Sequence, residues 1–274
     1  MIDILSIHVT DQCNMNPRCP FCYSINHKQR LPLKWFYGIP KVAKELGVKQ
    51  IPIGGGEVTM YPPFLEKFTK LCRQYGIIPN LTTNGMNKIG INTLANLGCV
   101  SFSLDKYKLF TGRWSKSNDN NPLANLIYTS ELRVTNERLS SLEIGLNYLV
   151  LDKKSLSMLP ATLRQFNYYV DNFYILQPKN VELDYTIEEV KLILYPMILV
   201  YDEKIFVDDS FQLALGKKEY CHGGNGFLSL SYDGGVRTCS FAEPIAYIKK
   251  PEELKDVINN LKFPLQYKCK YVKV

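Results

Sequence analysis

Short apolar runs alternate with amphipathic stretches along the first two thirds of the chain. Residues 4–9, 48–53, 77–83, 100–104, 142–151 and 173–176 are apolar runs bounded by Gly, Pro, Asn or Asp, and each reads as a strand. Between them the spacing turns helical. Phe64, Leu65, Phe68, Leu71, Cys72 and Tyr75 fall on one helical stripe, which accounts for Cys72 as a core residue. Trp35, Phe36, Ile39, Val42, Ala43 and Leu46 repeat the pattern, with Pro40 expected to kink or split that helix. Strand and helix alternating six times predicts an α/β fold with a parallel sheet and helices outside it. Right-handed crossovers leave an open doubly wound sheet or a barrel-like wrap. In both, chemistry gathers at the C-terminal ends of the strands.

The last quarter differs. Residues 227–231 form a short alternating strand, Asp233-Gly234-Gly235 a tight turn, and residues 236–238 a returning strand. The longest apolar run, residues 192–201, contains Pro196 and is too short to cross a bilayer. The start of the chain, MIDILSIHVTD, lacks the basic and apolar regions of a signal peptide, so a cytoplasmic location is expected.

The composition, 46% hydrophobic and 22% charged over 274 residues, excludes a disordered or collagen-like chain. The net charge of +7 sits in the front: residues 1–180 carry 21 Lys and Arg against 12 Asp and Glu, and the remainder 12 against 14. No block of like charges and no aromatic–basic repeat points to nucleic acid.

Eight cysteines change the picture more than charge does. Cys13, Cys19 and Cys22 share one loop after the first strand, spaced Cys-x5-Cys-x2-Cys. Cys221, Cys239 and Cys269 lie in the last quarter, the first two flanking the hairpin, and Cys99 opens the fourth strand. In a reducing compartment clustered cysteines read as metal or cluster ligands rather than as disulfides. Three thiolates suit zinc or iron–sulfur. A four-iron cluster held by three of them keeps one iron open to another ligand, whereas structural zinc closes with four. One strand later comes Gly54-Gly55-Gly56-Glu57. Its glycines permit close approach to the backbone, and its carboxylate is suited to accept from an ammonium group, or else is an ordinary solvated acid.

Together these features resemble the radical S-adenosylmethionine (SAM) superfamily. The resemblance rests on the cysteine loop with Phe21 before its last cysteine, on Gly55-Gly56-Glu57, on Thr83-Asn84-Gly85 after strand three, and on Ser101-Phe102-Ser103-Leu104-Asp105 at strand four. Asn147 and Gln177-Pro178 end the fifth and sixth strands as late strands of the family do. The match spans residues 1–180. The family loop is Cys-x3-Cys-x2-Cys; here the first gap holds two more residues, within 14–18 and including Pro17.

The resemblance implies a partial (β/α)6 barrel over residues 1–180. It implies a 4Fe-4S cluster on Cys13, Cys19 and Cys22, with SAM on the fourth iron. Phe21 would lie near the adenine, and Gly55, Gly56 and Glu57 would hold the methionyl amine. Asn84 would belong to the same SAM site. Ser103 and Asp105 would face the carboxylate or ribose, Asn147 and Gln177 the ribose or adenine. Reductive cleavage of SAM would give a 5′-deoxyadenosyl radical that takes hydrogen from a substrate.

The spacing Cys221-x12-Gly234-x4-Cys239 resembles the opening of the SPASM and twitch domains. This implies a truncated iron–sulfur domain over 181–274, with an auxiliary cluster on Cys221, Cys239 and Cys269 and His222 as a further ligand candidate. Such enzymes modify peptides or small molecules. Peptide modification is the first expectation, small-molecule dehydrogenation or cyclisation the second, and a non-catalytic iron–sulfur or zinc scaffold the third. The implied partners are a substrate peptide or small molecule and an electron donor such as flavodoxin or ferredoxin. Because the chain starts near strand one, a peptide substrate would need either a separate leader-peptide carrier or direct recognition. Lys106, Lys108, Arg113 and Lys116 form a basic insert suited to an acidic leader or a phosphate.

Overall fold

The computed structural model describes residues 2–16, 18–24, 30–104, 121–179 and 181–261. Asp105, the basic residues at 106, 108, 113 and 116, and Cys269 lie outside the described residues. The strands are β1 (Ile4–His8), β2 (Gln50–Gly54), β3 (Ile78–Thr83), β4 (Cys99–Ser103), β5 (Glu143–Leu149), β6 (Asn172–Leu176), β7 (Ile205–Val207), β8 (Phe227–Ser231), β9 (Gly235–Arg237) and β10 (Pro244–Tyr247). The first six match the six predicted runs to within two residues at every end. β7 was not anticipated from the pattern, being only three residues long.

The chain forms two compact units. The first gathers the described parts of Met1–Thr83, Ile89–Cys99 and His222–Tyr267, the second those of Asn84–Lys88 and Val100–Cys221. These units are discontinuous in sequence.

In the first unit the strand order is β10-β9-β8-β1-β2-β3. β1 pairs in parallel with both β2 and β8. Flanked on both edges, it is buried over nearly its whole length, which is why it reads as a continuous apolar run. β9 runs antiparallel to both of its neighbours, β8 and β10. The predicted hairpin therefore joins the sheet of the first strand directly. Its turn is made by Asp233, whose Oδ1 accepts from Gly235 N at 2.9 Å, and by Gly234 at φ +83°.

Two helices of this unit were predicted by stripe. The first resolves the Pro40 question as a split. A 3-10 segment covers Leu33–Gly38, and α1 (Ile39–Glu45) then starts with Pro40 in its first turn, where the missing N–H costs nothing. α2 (Pro62–Gln74) buries Phe64, Leu65, Phe68 and Cys72 as the stripe requires. A short helix, α3 (Ile91–Leu94), follows β3.

In the second unit β5, β6 and β7 pair in parallel, with β4 preceding them in the order β4-β5-β6-β7. Helices α4 (Pro122–Thr135), α5 (Lys153–Phe166), α6 (Ile187–Tyr201) and α7 (Asp209–Ala214) belong to this unit. α5 and α6 each start with a capping box, Asp152 with Ser155 and Thr186 with Glu189. α6 contains the ten-residue apolar run and Pro196. Among the described residues no helix is long and apolar enough to cross a membrane. The last helix, α8 (Glu253–Asn260), belongs to the first unit. The fold is thus α/β with a mostly parallel sheet.

His8, the last residue of β1, is buried against the Tyr23 ring at 5.9 Å. Burial, reinforced by the Arg237 guanidinium, holds its imidazole below the usual 6.5, at about 4. The native state therefore resists a proton that the unfolded chain accepts. Stability from this site is complete above pH 6.5 and falls, by about 3 kcal/mol, as pH drops toward 4. Urea midpoints of His8→Phe measured from pH 7 to 4 should lack that part of the slope; a slope equal to the wild type's would refute the assignment.

Candidate active site

The cysteine loop and the glycine turn meet through their backbones at the C-terminal ends of β1 and β2. Val9 N donates to Gly54 O at 3.3 Å, Gly56 N to Thr10 O at 2.6 Å and Glu57 N to Gln12 O at 2.7 Å. The parallel pairing thus continues past both strands into the loop that carries Cys13. This contact explains the glycines. A Cβ on Gly55 would lie 2.3 Å from Thr10 O, and one on Gly56 1.8 Å from Gln12 O. Gly55 also has φ +129°, where L side chains are strained. Sequence reasoning reserved the close approach for a ligand; in the structure the chain's own loop makes it.

Glu57 turns inward, 1% exposed. Its Oε1 accepts from Thr59 N at 3.1 Å, Thr59 Oγ1 at 2.6 Å and Thr83 Oγ1 at 2.9 Å. The backbone bond caps the 3-10 turn Val58–Met60, and the Thr83 bond ties the end of β2 to the end of β3. A buried carboxylate needs such donors. Sequence reasoning missed both hydroxyls as partners of this acid, although Thr83 belongs to one of the quoted motifs.

Of the three loop cysteines, Cys13 and Cys19 are half-buried and Cys22 is exposed, and none is in a disulfide. Cys22 N donates to Cys19 O at 3.0 Å, so the Cys-x2-Cys segment is one tight turn. Among the described residues no three His, Cys, Asp or Glu side chains are gathered as a metal-ligand group. The donor chemistry still fits an iron–sulfur cluster: three unoxidised thiols on one loop at the C-terminal end of a parallel strand. Phe21 is half-buried beside them.

The remaining residues lie in the second unit. Asn84 shapes its own turn, its Oδ1 accepting from Met86 N at 2.9 Å. Ser103 is half-buried at the end of β4. Asn147 is half-buried on β5, opposite Tyr174. Gln177 follows the last residue of β6, and its main-chain N donates to Asp208 Oδ2 at 3.1 Å. Gln177 is 1% exposed, and neither polar atom of its carboxamide has a hydrogen-bond partner among the described residues. Cys221 donates to Asp209 Oδ2 at 3.5 Å. In the first unit, Gly224 N donates to Thr238 O at 3.0 Å, one residue before Cys239.

Residues 7–106 match the model of the Radical SAM superfamily. They are a radical SAM domain. The three loop cysteines, the Gly55–Glu57 turn, Asn84 and Ser103 fall inside that stretch; Asn147, Gln177, Cys221 and Cys239 fall outside it. The chain is 31% identical over 134 residues to a GTP 3′,8-cyclase of Desulforamulus reducens, covering 43% of this chain and 40% of that protein. A probable GTP 3′,8-cyclase of Pyrococcus abyssi is 31% identical over 122 residues, covering 39% of this chain. The chain spans 38–40% of the length of these curated relatives. The fold is also that of Streptococcus suis SuiB bound to its precursor peptide SuiA. There the TM-score is 0.66 at 17% identity, over 87% of this chain and 59% of that one.

Two substitutions probe the radical SAM domain's turn. Gly56→Ala should destabilise the protein by at least about 2 kcal/mol, because the displaced atom is backbone and cannot rotate away. Thr83→Val should cost about 1.5–3 kcal/mol by removing a donor to a buried carboxylate. Both are read from denaturant midpoints, and values within experimental error of wild type would show that the seam carries no load.

Proposed function

We propose that this chain is a radical SAM enzyme acting on a peptide substrate. The observation that carries the reading is the main-chain seam joining the Cys13–Cys22 loop to the Gly55–Glu57 turn, within the stretch that matches the superfamily. Cys13, Cys19 and Cys22 would hold a 4Fe-4S cluster, and Gly55, Gly56 and Glu57 are assigned to SAM on their resemblance to the family's turn, although the close approach at the two glycines is taken by the chain's own loop. When bound, cluster and SAM together supply a one-electron reductive cleavage that yields a 5′-deoxyadenosyl radical able to take hydrogen from a substrate carbon.

The chain's own residues set the stage. The seam fixes where the cysteine loop leaves β1. Thr59 and Thr83 hold the buried Glu57 carboxylate in place at the end of β2. Asn84, Ser103, Asp105 and Asn147 are assigned to SAM on their resemblance to the family's strand-end residues.

Peptide modification is supported by fold coverage. SuiB with SuiA aligns over 87% of this chain. The native anSMEcpe structure with bound AdoMet and Cp18Cys peptide aligns over 89%, with a TM-score of 0.58 at 15% identity. Sequence identity favours a second reading, cyclisation of a nucleotide, because the GTP 3′,8-cyclase of Desulforamulus reducens is 31% identical over 43% of this chain. The hairpin cysteines Cys221 and Cys239, with Cys269, are assigned to a twitch-like auxiliary site on their spacing. An electron donor of the flavodoxin or ferredoxin type completes the system.

Anaerobic reconstitution with iron and sulfide tests the reading. About four irons per chain indicate one cluster and about eight indicate two. Wild-type protein should form 5′-deoxyadenosine from SAM and dithionite, and Cys19→Ala should not. Deuterium transfer into 5′-deoxyadenosine from a labelled precursor peptide, but not from labelled GTP, selects the peptide. The reverse result selects the nucleotide. Undiminished 5′-deoxyadenosine from Cys19→Ala overturns the mechanism.

A further inference from the structure

The loop between Cys13 and Cys19 is two residues longer than the superfamily spacing, and the structure shows how this chain closes it. Asp11, two residues before Cys13, is fully buried. Arg30, beyond the loop, places Nε 2.6 Å from Asp11 Oδ1, an ion pair by distance rather than an aligned hydrogen bond. From within the long gap, Arg18 Nη2 donates to the main-chain oxygen of the same Asp11 at 2.9 Å. Residues 10–12 are otherwise tied to the glycine turn through Thr10 O and Gln12 O, and Gln12 N is held by Thr10 Oγ1 at 3.1 Å.

Two guanidinium groups therefore converge on one residue at the foot of the loop. The Arg18 bond spans seven residues and returns the chain to its starting point immediately before Cys19. Because Cys22 N is bonded to Cys19 O, the same bond also places the turn that carries the third cysteine. A longer loop loses more freedom on closing, and a side-chain bond across its base shortens it in effect. Arginine is well suited to this role, because its rigid fork is permanently charged and holds an oxygen without a pKa to lose.

We propose that Arg18 is a positioning residue that compensates for the five-residue gap by pinning Cys19 to the foot of the loop at Asp11, with Arg30 neutralising the buried Asp11 from the other side. This rests on the reading that Cys13, Cys19 and Cys22 are the cluster ligands. It goes beyond that reading in assigning the loop's closure to a residue that touches neither cluster nor SAM.

The test compares wild type, Arg18→Ala, and Arg18→Ala with Met15 and Asn16 deleted, which restores a three-residue gap. Two readouts are used: iron retained against a chelator after reconstitution, and amide hydrogen exchange across residues 10–24 in the iron-free protein. Arg18→Ala should hold iron roughly 10–100-fold more weakly, as removal of an outer partner of a metal ligand does. It should exchange faster through the loop while its thermal unfolding stays unchanged. The shortened chain should regain wild-type iron retention without the arginine. The proposal is overturned if Arg18→Ala matches wild type in exchange, or if shortening the gap fails to rescue iron retention.

Cys13→Ala and Cys19→Ala separate the two levels. If both retain iron as wild type does, the ligand assignment falls. The iron-free exchange then still decides whether Arg18 pins the loop.

Discussion

Three backbone hydrogen bonds between residues 9–12 and residues 54–57 organise the front of this protein. They extend a parallel strand pair beyond its regular end, so the loop that follows β1 leaves the sheet along a defined path. Backbone contact this close is possible only where one partner has no Cβ. Gly55 and Gly56 satisfy that condition, with would-be Cβ contacts of 2.3 and 1.8 Å to carbonyl oxygens of the loop. The cysteine loop and the glycine turn are therefore one structural object, although a helix and a strand separate them along the chain.

Two buried acids sit on either side of that seam and are satisfied by different chemistry. Glu57 accepts from two threonine hydroxyls and a backbone N–H. Asp11 instead meets a guanidinium, which cancels its charge and turns it into a mechanical anchor.

Most strands were readable from the sequence because a parallel strand buried on both faces is a short apolar run between turn residues. β1 and β4 are of this kind. β7 was not, since three residues at a sheet edge produce no periodicity. The pairing of β8 with β1 was equally hidden, because the two strands lie at opposite ends of the chain and nothing local encodes which edge a strand will join. The surroundings of each late-strand residue were also out of reach: Asn147 and Gln177 look alike as polar residues near strand ends, yet Asn147 is half-buried and Gln177 is 1% exposed.

Sequence alone determined the chemistry available at this site: three thiols on one loop, a glycine-rich turn and an acid one strand later, each specified by residue type and local spacing. Those choices are local because propensity, turn chemistry and ligand softness act over a few residues. Tertiary structure decided what these groups touch. It gave the glycines to the chain's own backbone, turned Glu57 inward onto two threonines, and drew Arg18 and Arg30 onto a buried Asp11. Such contacts follow from packing between segments distant along the chain, where burial, rather than adjacency, selects each partner.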